Sequence, residues 1–252
     1  MMTFMVALRK ELLEQWRTRR MLVLAAVLVL FGLLSPLLAR YTPELLGMFP
    51  EAEAIADLIP PPTVNDAVAQ YLENMSQFGV ILALLLAMGS VAQEKERGTA
   101  AMMLVKPLPR GVFLGAKFAA LLITFAVGLA LAGAGAYYYT YLLFEPLDLG
   151  RWLALNGLVL LFLMVYVALT MLCSVLMRTP AAAGGLAFAL LILLAVPGVV
   201  PQLGRYLPGH LITLAGSVMT VGGQHWAAVW VSAGLIAASL AGAWLAFRRQ
   251  EL

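Results

Sequence analysis

Six apolar runs set the terms for any fold of this chain: residues 21–39, 77–92, 112–144, 152–177, 181–200 and 226–247. A helix needs about 20 residues to cross roughly 30 Å of hydrocarbon, and these runs have that scale. No charged side chain lies in the central part of any of them, and Lys117 sits close to the start of the third. A bilayer core offers no water to the backbone, so each run must satisfy its own hydrogen bonds and is expected to be helical. Composition agrees: of 252 residues 63% are hydrophobic and 12% charged, where a soluble domain has roughly 25% charged residues to cover its surface. These features predict an all-α integral membrane protein with six transmembrane helices, forming a single domain over 1–252, without internal repeat or linker. The first run follows a charged helical segment and is read as a retained anchor, not a cleaved leader. The single cysteine, Cys173, lies in an apolar stretch, which excludes an intrachain disulfide framework and suits a structural thiol.

Orientation follows from the basic residues, which concentrate on the cytoplasmic side of membrane proteins. With the amino terminus inside, thirteen of the sixteen Lys and Arg fall on cytoplasmic segments, leaving Arg40, Arg151 and Arg205 outside. Both termini are then cytoplasmic. The moderately apolar stretch 207–223 is kept on the outer side, because a seventh span would carry Arg248 and Arg249 out. The prolines and glycines around it, from Pro197 to Gly223, predict a broken, re-entrant segment before the sixth span. The loop 40–76 is acidic and broken by Pro60, Pro61 and Pro62; beyond it Thr63 is placed to cap a helix with Asp66 in its first turn, running through Tyr71 into the second span. Tyr137, Tyr138, Tyr139 and Tyr141 close the third span as an aromatic interfacial belt.

Two cytoplasmic segments are distinctive. Near the amino terminus Phe4, Leu8, Leu12 and Trp16 recur every four residues, with Arg9, Lys10, Glu11, Glu14, Gln15 and Arg17 elsewhere on the wheel. This predicts an amphipathic interfacial helix whose apolar stripe lies among headgroups while Arg17, Arg19 and Arg20 meet anionic lipid. After the second span the chain reads Gln93, Glu94, Lys95, Glu96, Arg97, Gly98, Thr99. Gly98 and Thr99 supply a break and a cap, residues 100–105 a short helix, and Pro107 and Pro109 its end, with Arg110 following.

Taken together, Lys10-Glu11-Leu12, the acidic-Gly-Thr element Glu94, Glu96, Gly98, Thr99, then Pro107, Arg110 and Lys117, resemble the permease subunits of type-2 ABC exporters over nearly the whole chain. The resemblance implies a coupling helix within 94–110 that docks, with the amino-terminal helix, on a separate ABC ATPase subunit. Glu94, Lys95, Glu96, Arg97, Gly98, Thr99, Pro107 and Arg110 are the expected coupling residues, Lys10, Glu11, Trp16 and Arg17 those of the interfacial helix, and Arg178-Thr179-Pro180 a minor second contact. It further implies two permease copies, as homodimer or heterodimer, and two ATPase copies carrying the ATP and Mg, in a bacterial or archaeal inner membrane. Alternating access would then export a cargo; the uncharged spans favour an amphipathic or lipophilic one, such as a lipid, peptide or antimicrobial compound. Small residues such as Gly128, Ala132, Ala136, Gly184, Gly185, Gly234, Ala238 and Gly242 permit close helix approach, within the chain or between copies.

No Gly-x-x-x-x-Gly-Lys-Ser/Thr loop occurs in the sequence, so no phosphate cradle of the kind an ATPase needs is expected on this chain, which is read as no enzyme and as binding no cofactor. A transporter or channel driven by an ion gradient, the alternative, usually carries ionisable groups mid-span. His210 and His225 lie on the outer side and suit structural or interfacial roles; with Ser217 they make neither a metal site nor a hydrolytic centre. A nucleic-acid partner is not expected.

Overall fold

The computed structural model describes residues 2–48, 60–98, 109–196, 201–220 and 226–250, and all regular structure among them is helical. Helix α1 (Met2–Arg17) is followed by α2 (Arg20–Gly47), α3 (Val64–Met88), the one-turn α4 (Ala92–Glu96), α5 (Arg110–Leu143), α6 (Leu149–Leu176), α7 (Pro180–Ala195), the short α8 (Pro201–Gly204), α9 (His210–Met219) and α10 (Ala227–Arg249). Among the described residues five helices are long and apolar enough to cross a membrane: α2, α3, α5, α6 and α10. Helix α7, expected as a span over 181–200, has 16 residues. At 1.5 Å per residue it is about 24 Å long, short of a full hydrocarbon core.

Several helices outrun the apolar runs that announced them. Helix α2 continues through Pro36 and Pro43 to Gly47, and α3 starts at Val64, so much of the expected loop 40–76 is helix. As expected, Thr63 starts α3. The Asp66 carboxylate accepts from both the backbone N–H and the hydroxyl of Thr63 at 2.7 Å, satisfying an N–H left over at the helix start. Of the acidic residues in that stretch, Glu44 pairs with Arg40 at 3.6 Å, while Glu51, Glu53 and Asp57 lie outside the described residues. So do the predicted 100–105 helix, Thr99, Pro107 and His225.

Helix α6 is the axis. Its Leu155, Val159, Leu163, Val167 and Met171 are fully buried, and α3, α5, α7, α9 and α10 pack against it, while α2 packs on α3 and α5. Helices α2 and α5 touch almost backbone to backbone: a Cβ on Gly32 would lie 2.7 Å from the Ala132 carbonyl oxygen, and one on Gly128 2.4 Å from Leu24. Small residues permit that approach, and the expectation for Gly128 resolves as packing within the chain. Gly185 and Gly234 have open space at the Cβ position.

The hydrogen bonds define two ends. At one, α1, α4, the start of α5 and the ends of α6 and α10 converge. Arg110 donates to the carbonyls of Phe247 and Arg248 at 2.6 and 2.7 Å, giving partners to the orphan acceptors of a helix terminus. Gln250 donates to the Val175 carbonyl at 3.0 Å, and Lys95 donates to that same carbonyl. This is the basic end. At the other, Tyr137 donates to the Leu147 carbonyl at 3.0 Å and Arg151 to that of Met219 at 3.3 Å. Tyr138 and Tyr141 are exposed there, as an aromatic belt requires.

Candidate functional site

The densest polar constellation lies at the basic end, where α1, α4 and α5 meet. Lys117, eight residues into α5, is 5% exposed. Its ammonium donates to Glu11 of α1 at 3.0 Å and to Glu94 of α4 at 2.8 Å. Lys10 adds a second cation, 3.1 Å from Glu11, 3.6 Å from Glu14 and 3.9 Å from Glu94. One turn along, Gln15 accepts from the buried Thr124 hydroxyl of α5. Arg20, at the start of α2, donates to Gln93 of α4 at 2.8 Å. Four helices are thus joined by charged or polar side chains around a cavity of about 30 Å³, which the Ser90 hydroxyl also lines, room for about one or two waters.

Why α4 sits there is set by Ser174 on α6. Its hydroxyl donates to the Met88 carbonyl at 2.8 Å, where α3 ends. It also accepts the N–H groups of Val91 and Ala92 at 3.0 and 2.9 Å, where α4 begins. One buried hydroxyl therefore partners both sides of the α3–α4 break and aims Glu94 at Lys117. Gly98 follows α4 in left-handed backbone at φ +69°, a conformation glycine adopts without penalty.

The amino-terminal helix forms as expected but is rolled differently. Glu11 and Gln15, expected on the solvated side, are buried against α5 at 8% exposure each. Phe4 and Leu8 are half-buried toward the protein. The outward apolar face is instead Met5, Val6, Leu13 and Trp16, the last 56% exposed. The physical reason is Lys117: a buried ammonium needs an anionic partner far more than a leucine needs lipid, so the helix turns its carboxylate inward.

The expected coupling residues divide accordingly. Glu94 and Lys95 are tied into the bundle, and Arg110 caps α10; Glu96, Arg97, Gly98 and Arg17 are exposed. Thr179 caps α7, accepting from the Ala182 N–H at 3.3 Å, which gives the turn before Pro180 a structural purpose. Cys173 is buried with a free thiol. Among the described residues no group of His, Cys, Asp and Glu could hold a metal ion. Sequence reasoning singled out Lys117 and Glu94 separately and missed their pairing with Glu11, as well as Ser174. The available signal was the one buried cation in an apolar helix, which demanded a counter-charge.

Comparison with known proteins places the chain. An uncharacterized transmembrane protein of Bacillus subtilis (strain 168), YxlG, is 28% identical over 230 residues, covering 88% of this chain and 87% of that protein. The family model described as ABC-2 family transporter protein matches residues 5–252. With the match running from α1 through the basic-end constellation to the last helix, this chain belongs to the ABC-2 family of transporter proteins.

Proposed function

We propose that this protein is the membrane-spanning subunit of an ATP-driven exporter, forming the translocation pathway and taking its motion from a separate ATPase that docks on the basic end. The observation that carries this reading is the buried Glu11–Lys117–Glu94 bridge. It fastens the two surface elements α1 and α4 to one long span, so a push on either is delivered to α5. Exposed Glu96, Arg97 and Arg17 flank the bridge and offer a docking partner both signs of charge. The concentration of Lys and Arg at this end supports a cytoplasmic assignment for it, with both termini inside and the membrane a bacterial or archaeal cytoplasmic one.

In this reading α7 serves as a sixth, shortened crossing, completed by the α8–α9 hairpin on the outer side. Two copies of the chain, or this chain and a second permease, pair with two ATPase copies carrying ATP and Mg. ATP binding draws the ATPases together, α1 and α4 move, and the spans re-pack to open outward. Uncharged span interiors suit an amphipathic or lipophilic cargo. The test is affinity purification of the tagged chain in mild detergent. An ATPase should co-purify near stoichiometrically and be lost from Glu96→Ala/Arg97→Ala, which leaves the buried bridge alone. A chain that purifies folded and repeatedly without a nucleotide-binding partner contradicts the reading and turns attention to gradient-driven transport.

A further inference from the structure

A second cavity, about 570 Å³, opens at the other end of the molecule between α6, the end of α7 and the α8–α9 hairpin. Its size falls in the range of small-molecule sites, about 300–1,000 Å³. Its lining includes the apolar Phe162, Leu194, Leu207 and Ile212 and the polar Arg205, His210, Thr213 and Tyr166. Every one of the latter four is a hydrogen-bond donor or can be one. Among the described residues none of the four has a hydrogen-bonded side-chain partner within the protein, although Arg205 rests over the Tyr206 ring at 5.1 Å. Among the described residues no carboxylate lines the cavity.

The depth is informative. Phe162 lies 14 residues from Leu176, the basic-end terminus of α6, about 21 Å at helical rise, so the cavity floor is within the bilayer. Arg205 and Thr213 are exposed and His210 and Tyr166 half-buried, so a cation and three neutral donors are open to a negatively charged group, to which charge-assisted hydrogen bonds are the strong ones. The sequence suits His210 to a structural or interfacial role; among the described residues its ring has no hydrogen-bond or ion-pair partner.

We infer that the cavity under the α8–α9 hairpin is a binding site for an anionic amphiphile, its phosphate or carboxylate head on Arg205 and His210 and its aliphatic body against Phe162, Leu194 and Ile212. Thr213 and Tyr166 complete the donor set. The site stands on the cavity's own geometry and does not depend on the partner ATPase.

The test uses the full-length protein, purified in neutral detergent, and measures retention of added lipids by native mass spectrometry. Dioleoyl phosphatidylglycerol is compared with dioleoyl phosphatidylcholine, and oleate with oleyl alcohol. At least one anionic probe should bind about tenfold or more tighter than its uncharged or zwitterionic counterpart, as charge-assisted hydrogen bonds provide. Preference for phosphatidylglycerol identifies a lipid headgroup as the source, and preference for oleate a free carboxylate. Arg205→Gln and His210→Gln, each checked for an unchanged melting temperature, should erase the difference, and Arg205→Lys should retain part of it. Equal binding within both pairs, or a preference that survives Arg205→Gln/His210→Gln, overturns the inference.

Discussion

Lys117 shows how a single residue can organise several helices. Its ammonium is buried between Glu11 and Glu94, and a buried ion pair adds little net stability over an apolar replacement but punishes the loss of one partner. Lys117→Met, which takes the buried cation from two carboxylates and leaves them the more exposed Lys10, should destabilise the protein by about 3–5 kcal/mol, read from unfolding in detergent. Adding Glu11→Gln and Glu94→Gln should recover most of the loss; equal stability of wild type and Lys117→Met would show that the bridge bears no load. Ser174→Ala should cost about 1–3 kcal/mol, because the N–H groups of Val91 and Ala92 lose their acceptor in a buried setting. Hydrogen exchange confined to residues 88–96 would register it, and unchanged exchange there would contradict the role assigned to the hydroxyl. Half of this site was legible. Lys117 stood out as a charge in an apolar run, and Glu94 as part of a dense polar segment. Glu11 was legible as a residue of the amino-terminal helix but not as a partner of Lys117, since a helical wheel separates polar from apolar faces without saying which face meets a neighbour.

At the scale of elements, hydropathy marked where helices cross a membrane better than where they end. Helix α2 persists to Gly47 and α3 begins at Val64 because the backbone ladder continues past the apolar stretch wherever a cap or neighbour allows. The Thr63 cap was readable because its signal is local. The roll of α1 and the Ser174 brace were not, because both depend on partners 82 to 106 residues away. Helix pairing also turns on close approach. Gly32→Ala would bring a methyl within 2.7 Å of the Ala132 carbonyl, and separating α2 from α5 should cost about 1–3 kcal/mol. Gly157→Ala meets nothing within 4 Å and should change stability by no more than about 0.5 kcal/mol. Unfolding midpoints of the two variants side by side check the contrast, and equal losses would refute the close α2–α5 packing.

Seen whole, the molecule is a helical bundle with unlike ends. The basic end is cross-linked by ion pairs and helix caps that tie α1 and α4 to α5 and α6. The other end carries the hairpin and a large, donor-lined cavity. Such a body suits a protein driven from one face and open at the other, and that asymmetry, with membership of the ABC-2 family, underlies the coupling proposal. The most direct test follows α5 itself. Tyr138→Cys sits exposed near its far end, and the one native thiol, Cys173, is buried. In the reconstituted complex, ATP should change the rate at which a membrane-impermeant thiol reagent labels Tyr138→Cys. Replacing the bridge with Glu11→Gln, Glu94→Gln and Lys117→Met should abolish that change while the ATPase still binds and hydrolyses ATP. A labelling rate that responds to ATP equally with and without the bridge would contradict the account.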